Sequence, residues 1–142
     1  MSAVRTDRKA AIRAVISENK VRTQSDVMRK LGELGFEVTQ ATVSRDMAAL
    51  ELEKDAEGYY VLPEVYRLRT VASTQVREVR RAGNQVVIIS GPGAAQSIAA
   101  AIDAAQPAGV LGTIAGDDTI LVIAQDDEAG AAFQAYLQQL AG

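Results

Sequence analysis

Residues 112–123 read GTIAGDDTILVI and set two carboxylates, Asp117 and Asp118, side by side between a small-residue turn and a run of aliphatic side chains. The chain there is about to enter a buried strand, where an unpartnered carboxylate is costly or is driven to neutralise. The pair therefore calls for a cation. A plain hairpin turn at Gly116 and Asp117 is the simpler reading, since both residue types tolerate the dihedrals of such turns. It accounts for one aspartate better than for two. Acid–base catalysis by the pair is disfavoured, because neighbours on an extended chain point to opposite faces and would need a substrate between them.

A second group of polar residues has different chemistry. Gln40, Thr42, Ser44 and Arg45 lie close together in the segment QATVSRD. Arginine bonds bidentately to guanine, glutamine to adenine, and serine or threonine hydroxyls to phosphates or bases. The polar outer face of any three-helix domain has the same look, and spacing alone leaves that alternative open. Asp46, next in line, reads as ordinary solvated charge rather than as a residue that orients Arg45.

Composition narrows the chemistry further. The 142 residues include no cysteine and no histidine. That removes disulfides, thiolate or imidazole metal sites, and catalysis built on a His base or Cys nucleophile. No cofactor, no metal and no enzymatic activity are expected. The longest apolar run, near residues 86–89, is too short to cross a bilayer, and no apolar signal core is present, so a cytoplasmic protein without membrane contact is expected. The length allows one ordinary domain or two small ones, the latter each marginal alone and helped by oligomerisation.

Charge divides the chain. Residues 1–48 hold nine Lys or Arg against six Asp or Glu, whereas residues 82–142 hold six acids and no Lys or Arg. A modestly basic head suits a polyanion, and an acidic segment without internal cations must draw positive charge from elsewhere. For Asp126, Asp127 and Glu128 a solvated helix start suffices. For Asp117 and Asp118 it does not.

These residues need elements to position them. Ile12, Val15 and Ile16 predict an amphipathic helix over 6–18. Thr23 with Asp26 predicts a capping box opening a second helix, whose stripe is Val27, Met28, Leu31 and Leu34 and whose stop is Gly35. Thr39 caps a third over about 40–51, built on Val43, Met47 and Leu50. Residues 52–54 and 59–62 then read as a hairpin. Three helices and a hairpin make a winged helix-turn-helix over residues 1–63, in which the third helix enters the major groove of double-stranded DNA. Residues 64–70, with Arg67 and Arg69, read as a linker. From 71 to 142 the pattern becomes strand, strand, helix, strand, strand, helix, a ββαββα domain with helices on one face of a largely antiparallel sheet. The fold class is α+β.

The segments VTQATVSRDMAAL, GYYVLP, SGPGAAQSIAAAID and VLGTIAGDDTILVI, in this order over nearly the whole chain, resemble the bacterial arginine repressor family. The resemblance implies a transcriptional regulator of arginine biosynthesis whose C-terminal domain assembles a homo-hexamer from two trimers. L-arginine acts as corepressor between the trimers. It implies DNA contacts for Gln40, Thr42, Ser44 and Arg45. Asp117 matches the carboxylate that reaches a guanidinium held by the opposing trimer, and Asp118 its neighbour in the same pocket. Gln96 and Asp103 match positions around the ligand's amino-acid end, with Thr113 and Ala115 offering mainly backbone groups from the GTIAG turn. Gly91 departs from the family pattern, which commonly has serine or threonine before Pro-Gly. Two other functions fit the same features: an architectural DNA-binding accessory in site-specific recombination, and a winged-helix regulator sensing another ligand.

Overall fold

The computed structural model describes residues 2–142, with side chains from Asp7 onward. The chain forms two compact units, Met1–Tyr66 and Arg67–Gly142.

In the first unit, helices α1 (Ser2–Glu18), α2 (Gln24–Glu33) and α3 (Gln40–Ala49) precede strands β1 (Glu53–Lys54) and β2 (Tyr60–Val61). The helix ends follow from local chemistry. The Thr23 hydroxyl accepts from the Asp26 amide at 3.1 Å while the Asp26 carboxylate accepts from the Thr23 amide at 3.2 Å, which satisfies two otherwise orphaned donors. Those amide bonds, led by that from Arg22, hold the Asp26 carboxyl below its ordinary value of 3.8. The cap is therefore intact above that value and weakens as pH falls through the depressed one. At the other end Gly35 takes φ +90°, its amide donating to Gly32 and that of Phe36 to Leu31, each at 3.0 Å. This left-handed exit closes α2 as glycine permits. Ile12, Val15, Ile16, Val27, Leu31, Val43 and Met47 form one buried cluster with Val21 and Leu62, the apolar stripes turned inward.

The second unit contains β3 (Val76–Ala82), β4 (Gln85–Ser90), α5 (Ala95–Ala105), β5 (Val110–Ala115), β6 (Thr119–Ala124) and α6 (Asp127–Ala141). The sheet order is β3-β4-β6-β5 and every pair is antiparallel. Strand β6 lies between β4 and β5, which leaves β5 as an edge. Alternation decides the faces. Val86 pairs with Val122 and Ile88 with Ile120, and all four are buried with Ile98, Ile102, Phe133 and Leu137 from α5 and α6. The intervening Val87, Ile89, Leu121 and Ile123 stay half-buried on the open face. At the edge Leu111 and Ile114 are 71% and 72% exposed.

Residues 64–70, expected as a linker, instead lie in a helix, α4 (Pro63–Gln75). Pro63 at its first position needs no amide partner. Val65 packs against the first core, whereas Leu68 and Ala72 are fully buried in the second. The third helix is also shorter than expected, because Glu51 enters the left-handed region at φ 55°.

Gly130 shows how closely α6 sits on the β3–β4 turn. A Cβ there would fall 2.6 Å from the Gly83 carbonyl and 3.1 Å from Asn84 Cα, both backbone atoms. Gly130→Ala is expected to destabilise the protein by roughly 1–3 kcal/mol through overpacking. Gly32→Ala, on a helix with nothing within 4 Å, is expected to add about 0.5–1 kcal/mol. Calorimetric unfolding of the two variants checks the opposite signs.

Candidate nucleic-acid interface and ligand site

Helix α3 begins at Thr39, whose hydroxyl accepts from the Thr42 amide at 3.2 Å. Burying Val43 and Met47 turns a stripe of Ala41, Arg45 and Ala48 outward, with Gln40 exposed at the start and Thr42 and Ser44 half-buried on either flank. The four residues expected at a DNA surface are thus brought to one side of one helix. Ser44 Oγ lies 3.3 Å from Gln24 Nε2, which ties the start of α2 to α3 and leaves the hydroxyl hydrogen available. Arg45 has no ion-pair or hydrogen-bond partner among the described residues. The two alanines leave room for the helix to approach a base edge or a thymine methyl.

Asp46 is not solvated charge. It is 5% exposed and forms a two-pronged pair with Arg8, from Nε to Oδ2 and from Nη2 to Oδ1, the latter at 3.2 Å. The fork geometry of guanidinium and carboxylate makes this a strong and directional clamp between α1 and α3. Nothing local signals it, since the partners are 38 positions apart.

The hairpin tyrosines gather cations that the sequence alone does not single out. The Arg22 guanidinium lies 4.4 Å and the Lys20 ammonium 5.6 Å from the Tyr59 ring centre, and Lys54 lies 4.7 Å from that of Tyr60. Lys54 Nζ also donates to the Arg22 carbonyl at 3.1 Å. Aromatic faces hold cations at such distances, so three positive groups are gathered around the two tyrosines, Lys54 from β1 and Lys20 and Arg22 from the loop before α2. The signal in the sequence is the Tyr59-Tyr60 pair, useful only once the basic residues it meets are known.

In the second unit the residues expected around a ligand gather on α5, β5 and the β5–β6 turn. Gln96 Nε2 donates to the Ala115 carbonyl at 2.9 Å, and Thr113 Oγ1 to Asp103 Oδ1 at 2.9 Å. These bonds lash the exposed face of α5 to the edge strand. Thr113 and Ala115 belong to strand β5 rather than to a turn, and the Ala115 carbonyl is engaged by Gln96.

Asp117 and Asp118 are not buried, contrary to the expectation for a strand entrance; burial along β6 starts at Ile120. The turn is anchored through its main chain. The Asp117 carbonyl accepts from the Ala95 amide at 3.2 Å and that of Asp118 from the Ser90 amide at 2.8 Å, while the Gly116 amide donates to the Thr119 carbonyl at 2.9 Å. The Asp117 carbonyl thereby serves an α5 start that lacks a side-chain cap. Both carboxylates are left exposed. Asp118 Oδ1 accepts from the Thr119 hydroxyl at 3.0 Å, and neither aspartate has an ion pair among the described residues. Exposed and unpaired on a turn fastened by main-chain bonds, they can receive a cationic group from outside the unit.

Among the described residues no group of His, Cys, Asp or Glu is placed to hold a metal ion, and no helix is long and apolar enough to cross a membrane. Residues 3–68 match the family model for the arginine repressor DNA binding domain, and residues 72–139 that for the arginine repressor C-terminal domain. An arginine repressor from Thermus thermophilus is 39% identical over 141 residues, covering 92% of this chain and 86% of that protein. One from Carboxydothermus hydrogenoformans is 42% identical over 132 residues, 85% and 88% of the two chains. One from Acidobacterium capsulatum is 36% identical over 147 residues, 96% and 97%.

Proposed function

The chain belongs to the arginine repressor family, a family of DNA-binding regulators and not of enzymes, and on that premise we propose that it is a cytoplasmic repressor of arginine biosynthesis with L-arginine as its corepressor. In this reading Met1–Tyr66 acts as a winged helix-turn-helix. Gln40, Thr42, Ser44 and Arg45 of α3 meet base edges and adjoining phosphates of operator DNA, and Lys54 of the hairpin, with Lys20 and Arg22 of the loop before α2, meets its backbone. The second unit assembles two trimers into a hexamer and binds arginine between them through Gln96, Asp103, Thr113, Ala115, Asp117 and Asp118.

The observation that carries this reading is the unpaired, exposed aspartate pair on a turn fastened by main-chain bonds, in a stretch without any Lys or Arg from residue 82 onward. A guanidinium answers that deficit with two parallel bonds to one carboxylate. The open sheet face supports assembly, since Val87, Ile89, Leu121 and Ile123 with exposed Leu111 and Ile114 form an apolar surface of the kind copies of a chain bury against each other. Arginine then favours DNA binding because it binds best to the assembly that presents several heads at once, and linked heads gain affinity by effective concentration.

Sedimentation velocity with and without L-arginine, followed by operator titration of the same samples, tests the reading. A hexamer that binds operator more tightly in arginine is expected, with lysine, ornithine and citrulline ineffective. A monomer at saturating arginine, or an equal response to citrulline, overturns it.

A further inference from the structure

Beside the outward stripe of α3 lies a cleft between α1 and α3 of about 490 Å³, lined by Arg8, Lys9, Thr42, Arg45, Asp46 and Ala49. Three of its six lining residues are cationic and one is acidic. The acid is already consumed, because Asp46 is held in the two-pronged pair with Arg8. Lys9 and Arg45 therefore supply uncompensated positive charge, neither having a partner among the described residues. Thr42 adds a hydroxyl 3.0 Å from that of Thr39, at the first turn of α3, where the helix end itself favours an anion.

We propose that this cleft seats a backbone phosphate of the bound duplex, with Lys9 as its principal cation and Thr42 as a hydroxyl donor. The proposal rests on the DNA-binding reading above. Lys9 is half-buried and lines the cleft. Lys9 and Thr42 line the same cleft as Arg45, so a phosphate held there lies beside the bases that α3 meets. The Arg8–Asp46 pair contributes no net charge; it holds the two walls together. Lys9 thus fixes the register of α3 on the duplex without reading sequence, as phosphate contacts do.

The test uses the full chain with L-arginine, an operator duplex and a scrambled duplex of equal length, titrated across a salt series. Lys9→Gln is expected to lower the slope of log affinity against log salt by about one for each engaged head. The advantage of the wild type over the variant then narrows by roughly threefold to fourfold per head between about 50 and about 200 mM salt. Operator and scrambled DNA lose affinity by the same factor, and Lys9→Arg restores both. Matching thermal unfolding of wild type and variants shows that the fold is retained, and the arginine variant keeps the question decidable if the glutamine variant is poorly folded. An unchanged slope in Lys9→Gln, or a loss confined to the operator, overturns the site. Calorimetry with inorganic phosphate alone is expected to show no saturable binding; saturable binding abolished by Lys9→Gln assigns the cleft to a free anion and overturns the proposal. A wild-type chain that fails to bind either duplex overturns the functional reading itself, whereas wild-type binding with an unaltered Lys9→Gln slope removes this cleft alone.

Discussion

Asp117→Asn is expected to weaken L-arginine binding by roughly tenfold to a hundredfold, the equivalent of one lost hydrogen bond to a charged group, about 1.5–3 kcal/mol. Asparagine keeps the size of the side chain and one carbonyl acceptor, so the turn should persist. Its fastening is main-chain, through the Asp117 carbonyl to Ala95 and the Asp118 carbonyl to Ser90. What disappears is the negative charge and the second acceptor that a guanidinium fork requires. Asp118 cannot make good the loss in full, since one of its oxygens already accepts from Thr119. The arginine dependence of operator affinity should fall together with ligand affinity, because the coupling is reciprocal. Glu128→Gln, an equal charge change in the first turn of α6, serves as control and is expected to leave arginine binding unaltered. Calorimetric titration of the three proteins decides the matter, and an arginine affinity in Asp117→Asn equal to wild type would remove Asp117 from the ligand site.

The aspartate pair also shows where a one-dimensional reading stops. Its peculiarity was visible from composition, since the distal stretch lacks any Lys or Arg, but its burial was not. The turn extends through Asp118, and alternation toward the core starts only at Ile120, a difference of two residues that carries the carboxylates from a buried setting to an exposed one. The elements with strong periodicity were legible: the stripes of α1 to α3, the alternating β4 and β6, and the α5 and α6 faces all follow from apolar spacing. Helix α4 was not, because β-branched Thr70, Val71 and Thr74 dilute its pattern and only Leu68 and Ala72 are buried. Contacts between distant segments left no local trace. The Arg8–Asp46 clamp joins residues 38 apart, and the Lys54–Arg22 bond residues 32 apart; both depend on packing that propensity does not encode.

Arg45→Ala is expected to have the other large effect, a loss of operator affinity of roughly tenfold to a hundredfold for each engaged head, as removal of a bidentate base contact implies. With several heads on one operator the factors multiply, so specific binding can fall to the level of non-specific binding. The fold should be unaffected, because Arg45 is exposed and has no partner among the described residues. Its neighbour Asp46, itself 5% exposed, is the useful contrast: a variant there unpairs the Arg8 guanidinium and perturbs the packing of α1 on α3, so any DNA defect it causes is entangled with stability. Arg45→Lys separates charge from geometry. A lysine retains the positive charge but not the planar fork, so it should recover binding to scrambled DNA and only part of the preference for operator. Gel-shift titrations of operator and scrambled duplexes at one fixed salt concentration, with hexamer content checked by sedimentation, measure both terms. If Arg45→Ala lowered the two affinities equally, Arg45 would be a phosphate contact like the one assigned to Lys9, and base reading would pass to Gln40, Ser44 and the outward alanines Ala41 and Ala48.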